Sequence, residues 1–189
     1  MTVADANGRC TLFIGAVSGA LIAIAFTGQV SSMGTAFFVF SLVLLPSLFL
    51  MGLITFERVL QSGIEDLTYA RGITRIRRLY LESAPQLQPY FLLAADDKSR
   101  RPMLKAGIHP SWWQVFLTTA GMIAAINSVL VGVFVGLLLS ALFTFPLLAC
   151  TSAGVLTFLV SFGIHQRYQW GQWSRLEQDL AALIEARRT

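Results

Sequence analysis

The sequence predicts an all-α protein, a four-transmembrane-helix bundle whose second and fourth helices extend into the cytoplasm. Four apolar runs, at about 10–27, 35–56, 113–141 and 146–165, match or approach the roughly 20 residues needed to cross a bilayer core. All 14 Lys and Arg and all 10 Asp and Glu lie outside those runs. The gaps around 28–34 and 142–145 carry no charge, so every charge falls on one side. Strands are excluded as spanning elements, because the runs lack the alternation of a barrel and an open sheet leaves its backbone unpaired in lipid.

Composition agrees. Mean hydropathy is +0.66, and 13% of residues are charged, against about 25% in a soluble domain. The charged side carries nine basic residues between positions 57 and 110, four in the tail and one before the first helix. By the positive-inside rule that side is cytoplasmic, with both termini. The expected location is a bacterial inner membrane, crossed several times, with the whole chain as one integral membrane domain. The pI near 9.5 then reflects topology and attraction to anionic headgroups, and nucleic acid is not an expected partner.

Taken in order, the first helix holds Gly15 and Gly19 at a GxxxG spacing, continued by Ala20 and Ala23. Small residues four apart let helix backbones approach closely, either within one bundle or between subunits. Ala23-Ile24-Ala25 has the small-x-small pattern of a signal-peptide cleavage site, but Arg9 is the only side-chain cation before it. A retained helix is expected. The second helix is bulky with Phe37, Phe38, Phe40 and Phe49 and is expected to face lipid over much of its length. Pro46 lies near its middle and predicts a kink.

Nothing between Phe56 and Glu82 stops a helix, so the second helix is expected to continue into the cytoplasm, with Gly63 and Gly72 as soft points. On this extension Tyr69, Ile73, Ile76 and Tyr80 form an apolar stripe with 4-3-4 spacing. The stripe needs a partner. The tail, 174–188, is read as a separate amphipathic helix capped by Ser174 and Glu177, with Trp173, Leu176, Leu180, Leu183 and Ile184 on one side. It is expected to pack on the extension, in the same subunit or a neighbour.

From Ser83 to Pro110 four prolines predict loop. The third helix is expected to open after Pro110 with a Ser111–Gln114 capping box, and Trp112 and Trp113 suit the headgroup layer. It contains a second GxxxG pair, Gly132 and Gly136. A short turn around Leu142–Pro146, with Thr144 as cap, makes helices three and four a tight hairpin. Ala149, Ala153 and Gly154 supply small residues to the fourth helix, and Trp170 and Trp173 follow it as further anchors. Cys10 and Cys150 fall at opposite ends of the bundle, too far apart for a disulfide.

Few residues suggest chemistry. Asn127 is the strongly polar side chain nearest the middle of a span, followed by Ser128, with Thr157 at similar depth on the fourth helix. The group reads either as an interhelical hydrogen bond or as a pore-lining contact. No acid, Lys, Arg or His is expected deep in a span, which argues against ion-coupled transport. Arg71, Arg75, Arg77 and Arg78 could hold anionic lipid, pair with acids on the same helix, or ring a pore mouth. His109 and His165 map to the inner interface without metal-ligand spacing, so no metal or cofactor is expected. No catalytic motif occurs, and an enzyme is not expected.

The stretch Gly52-Leu53-Ile54-Thr55-Phe56-Glu57-Arg58-Val59-Leu60-Gln61, continuing through Glu65–Arg71 to Arg77–Glu82, resembles a segment of small actinobacterial four-helix membrane proteins of unknown activity. The resemblance implies a bacterial inner-membrane protein and brings no binding residues. In outline the chain is also similar to small channel proteins with cytoplasmic helical extensions. The expected function is a homo-oligomeric scaffold or ion-conducting pore; the alternative is an accessory subunit of a membrane complex, docking through the basic segment.

Overall fold

The computed structural model describes residues 3–90, 118–143 and 145–186, and among them there is no strand. The helices are α1 (Val3–Val30), α2 (Thr35–Ser83), α3 (Thr119–Leu142) and α4 (Leu147–Ala186), with a 3-10 segment at Pro85–Tyr90 after α2. All four are long and apolar enough to cross a membrane. At 1.5 Å per residue, the 49 residues of α2 span about 73 Å and the 40 of α4 about 60 Å. Both are roughly twice the length a bilayer core requires.

The helices pack in chain order, α1 on α2, α2 on α3 and α3 on α4. The α1–α2 connection is a tight turn. Met33 N–H bonds the Gly28 carbonyl at 3.0 Å, and Ser32 and Met33 adopt φ of 48° and 58°. A side chain at Gly28 would press on Met33 and Phe37 at 3.3 Å, so the turn closes because that position has none.

α2 faces outward along one side of its span, through Val39, Phe40, Val43, Leu50 and Ile54, as its bulk suggested. It lies between α1 and α3, and Phe37, Ser41, Leu45, Leu48, Gly52 and Phe56 bury one continuous face. The reason is the distribution of small residues: Ser41, Gly52 and Thr55 admit neighbouring helices on that face, while Val39, Val43, Leu50 and Ile54 occupy the exposed one. The helix runs through Pro46 without interruption. Phe13, Leu45, Ile123 and Ala124 centre the apolar core.

α3 begins after Thr118, whose hydroxyl accepts the Gly121 N–H at 3.0 Å, a standard N-cap. The expected start at 113, with its Ser111–Gln114 cap and the Trp112 and Trp113 anchors, lies outside the described residues, as does Thr144. α4 is one helix from Leu147 to Ala186, so no separate tail helix starts at Ser174. Nothing between His165 and Ser174 terminates it; a lone Gly171 costs only about 1 kcal/mol.

The two GxxxG pairs separate. Gly15 and Gly19 face open space. Gly132 and Gly136 form the α3–α4 contact: a Cβ on Gly132 would stand 2.7 Å from the Gly154 carbonyl and 3.1 Å from Phe158 Cβ, and one on Gly136 would stand 3.3 Å from the Cys150 carbonyl. Gly132→Leu is therefore expected to lower stability by about 1–3 kcal/mol through overpacking. Gly15→Leu should leave the subunit's stability unchanged. Thermal unfolding of the two purified variants in detergent checks the contrast.

Candidate functional site

A set of polar side chains on α3 and α4 meets in a largely buried cluster. On α4 it is built from Ser161, His165 and Gln169, four residues apart and therefore on one face. Trp173 continues the row and lies 3.7 Å from where a Gly63 Cβ would stand, which ties α4 to α2. On α3 the partners are Asn127, Ser128 and the capping residue Thr118.

Asn127 is fully buried. Its Nδ2 donates to His165 Nε2 at 3.5 Å, and its carboxamide lies against Gly52 of α2. A Cβ on Gly52 would come within 2.8 Å of Asn127 Cγ and 3.0 Å of Phe13 Cε2, so the glycine is what makes room for the amide. Among the described residues the Asn127 Oδ1 has no hydrogen-bond partner. On the other side of the imidazole, His165 Nδ1 lies 2.8 Å from the Ser161 carbonyl, which can only accept. The proton is thereby assigned to Nδ1, leaving Nε2 to accept from Asn127. The ring meets Phe56 edge-on, with centroids 5.1 Å apart at 76°.

One turn away Ser128 donates to the Ala124 carbonyl at 2.7 Å. Its oxygen therefore accepts from the Ser161 hydroxyl at 3.2 Å. At the other end of the row Gln169 Nε2 donates to Thr118 Oγ1 at 3.2 Å, so α4 reinforces the cap of α3. Gln169 Oε1 and Gln166 Nε2 are buried without partners. The α3–α4 pair is thus clamped at three levels by polar contacts and further along by glycine packing.

Of the residues singled out from sequence, Asn127 and Ser128 belong to this cluster. Thr157 does not; its hydroxyl bonds the Ala153 carbonyl of its own helix at 2.8 Å. The α4 partner of Asn127 is His165, which is buried in the bundle. The signal for it was present in the four-residue spacing of Ser161, His165, Gln169 and Trp173. His109 lies outside the described residues, and among those described no group of His, Cys, Asp and Glu could hold a metal.

Arg78 pairs with Glu82 at 2.8 Å on an exposed surface, Arg75 is exposed, and Arg71 and Arg77 are half-buried. Trp170 is exposed while Trp173 packs against the core. Beside the glycine contact, Val129, Val133, Leu147, Thr151, Val155 and Phe158 border an apolar groove of about 400 Å³. No family model matches the chain, and neither a curated protein nor a solved structure is significantly similar to it.

The cluster can hold α3 and α4 in register, with the imidazole of His165 buried between them. A double-mutant cycle of Asn127→Ala and His165→Ala is expected to give a coupling of about 0.6–2 kcal/mol, the range for interhelical bonds in membranes. Gly52→Ala, which displaces the amide, should destabilise the protein while losing most of its effect in the Asn127→Ala background. Unfolding of the detergent-solubilised variants measures both.

Proposed function

We propose that the chain is a non-enzymatic, multi-pass protein of the bacterial inner membrane that assembles as a homo-oligomeric scaffold, with both termini in the cytoplasm. The observation that carries this reading is apolar surface left open beyond the spans. α2 exceeds a bilayer core by more than half its length, and on the excess Tyr69, Ile73, Ile76 and Tyr80 are mostly exposed. Large apolar side chains in water mark an interaction face.

Orientation rests on charge. Asp5 and Arg9, the α2 residues from Glu57 onward and the α4 residues from Arg167 onward all fall at one end of the helices. The turns at the other end carry none, which supports a cytoplasmic charged end attracted to anionic headgroups.

An ion-conducting pore remains the other form of the oligomer. It would need a polar stripe on an outer face, whereas Asn127 and Ser128 are enclosed within one subunit; that enclosure favours the scaffold. The exposed Arg75, with Arg77 and Arg78 near it, supports an accessory-subunit reading in which an acidic partner docks on the basic segment.

Native mass spectrometry of the protein extracted from membranes is expected to show a homo-oligomer without conductance in planar bilayers. A monomer, or a stable complex with a different protein, would reject the scaffold. In a background with Cys10 and Cys150 replaced by Ala, Ser32→Cys should react with an impermeant maleimide from outside the cell. Arg75→Cys should react only after the membrane is opened.

A further inference from the structure

Among the described side chains none covers the stripe on α2. Tyr69, Ile73, Ile76 and Tyr80 are between 50 and 68% exposed, although α4 is already helical as far as Ala186. Trp173 is the side chain that closes α4 on α2, at Gly63, and below that level α2 presents its apolar side to solvent.

Two contacts set the relative height of the helices. Phe56 lies beside His165, and Gly63 beside Trp173, offsets of 109 and 110 positions. α2 and α4 run in the same direction, so continuing both at about 1.5 Å per residue puts Tyr69–Ile76 level with 179–186. Copies inserted the same way in one bilayer share this height, and only segments at equal depth can meet between neighbours.

We propose that the α2 stripe is covered by the α4 tail, residues 176–186, of a second copy of the chain. This rests on the homo-oligomer reading and names its interface. Two described segments of a neighbour stand at the right depth: its α2 extension and its α4 tail. Pairing α2 with α2 would set the exposed Arg75 against the same arginine of the neighbour. The tail carries Asp179 and Glu185 at that level, so pairing it with α2 opposes unlike charges. Its Leu176, Leu180 and Leu183 repeat at 4-3 spacing, as Tyr69, Ile73 and Ile76 do. The contact joins two different surfaces, so it closes either as a ring or as a reciprocal pair.

The test uses full-length chains in native membranes, with Cys10 and Cys150 replaced by Ala and two distinguishable tags. Co-expression of Ile73→Cys in one copy and Leu183→Cys in the other should give a mixed-tag disulfide dimer on mild oxidation. Val160→Cys, which lies at another depth, should not pair with Ile73→Cys. Arg75→Glu is expected to lower the dimer yield by about two- to fivefold, as for a surface ion pair, and Glu185→Arg in the other copy should restore it. Absence of the mixed-tag dimer from a protein that still runs as an oligomer would overturn the interface and leave the scaffold reading standing. A disulfide formed only within a single chain bearing both cysteines would equally overturn it. A monomeric mass would remove both.

Discussion

Close approach of neighbouring helices at three glycines is the constraint on which the rest of the structure depends. Gly52 leaves the space that the Asn127 carboxamide fills, and Gly132 and Gly154 bring α3 and α4 to backbone contact. Inside a bilayer, helices gain little by hiding apolar surface from one another, since lipid is equally apolar. Packing distance and polar bonds must then supply the cohesion. Without the glycines, the 3.5 Å contact between Asn127 and His165 would open along with the helix pair it bridges.

The polar cluster follows from that proximity. Asn127, His165, Ser128, Ser161, Gln169 and Thr118 satisfy most of one another's hydrogen-bonding groups, and each bond runs between α3 and α4 or back to a helix carbonyl. An unpartnered amide or imidazole in an apolar interior costs several kcal/mol on an alkane reference scale. Such a set therefore specifies one rotation and one register of α4 against α3. Among the described residues the buried Asn127 Oδ1 and Gln169 Oε1 are left without a partner.

Below the bundle the physics changes. The extensions of α2 and α4 are too long for the membrane the spans imply, and α2 carries its apolar stripe into solvent. In the proposed assembly a bilayer fixes the height of every copy, so association reduces to matching segments at one depth. There, α2 of one copy set beside α2 of another would oppose Arg75 to itself, which disfavours self-pairing.

The lengths and order of the four helices and the segregation of charge to one end were legible in the amino-acid sequence, because hydropathy accumulates along each segment independently of its neighbours. The continuation of α2 through Gly63 and Gly72 was legible for the same reason, as no residue there stops a helix. The rotation of each helix was not. Summed apolarity is nearly the same whichever side faces inward, so it did not separate Phe37 and Phe56, which turn into the core, from Phe40, which stays exposed. Likewise Asn127 announced a need for a partner, and depth alone suggested Thr157. The tertiary structure chose His165, because the glycine contact sets how α4 is turned against α3, and that angle is a property of two helices together.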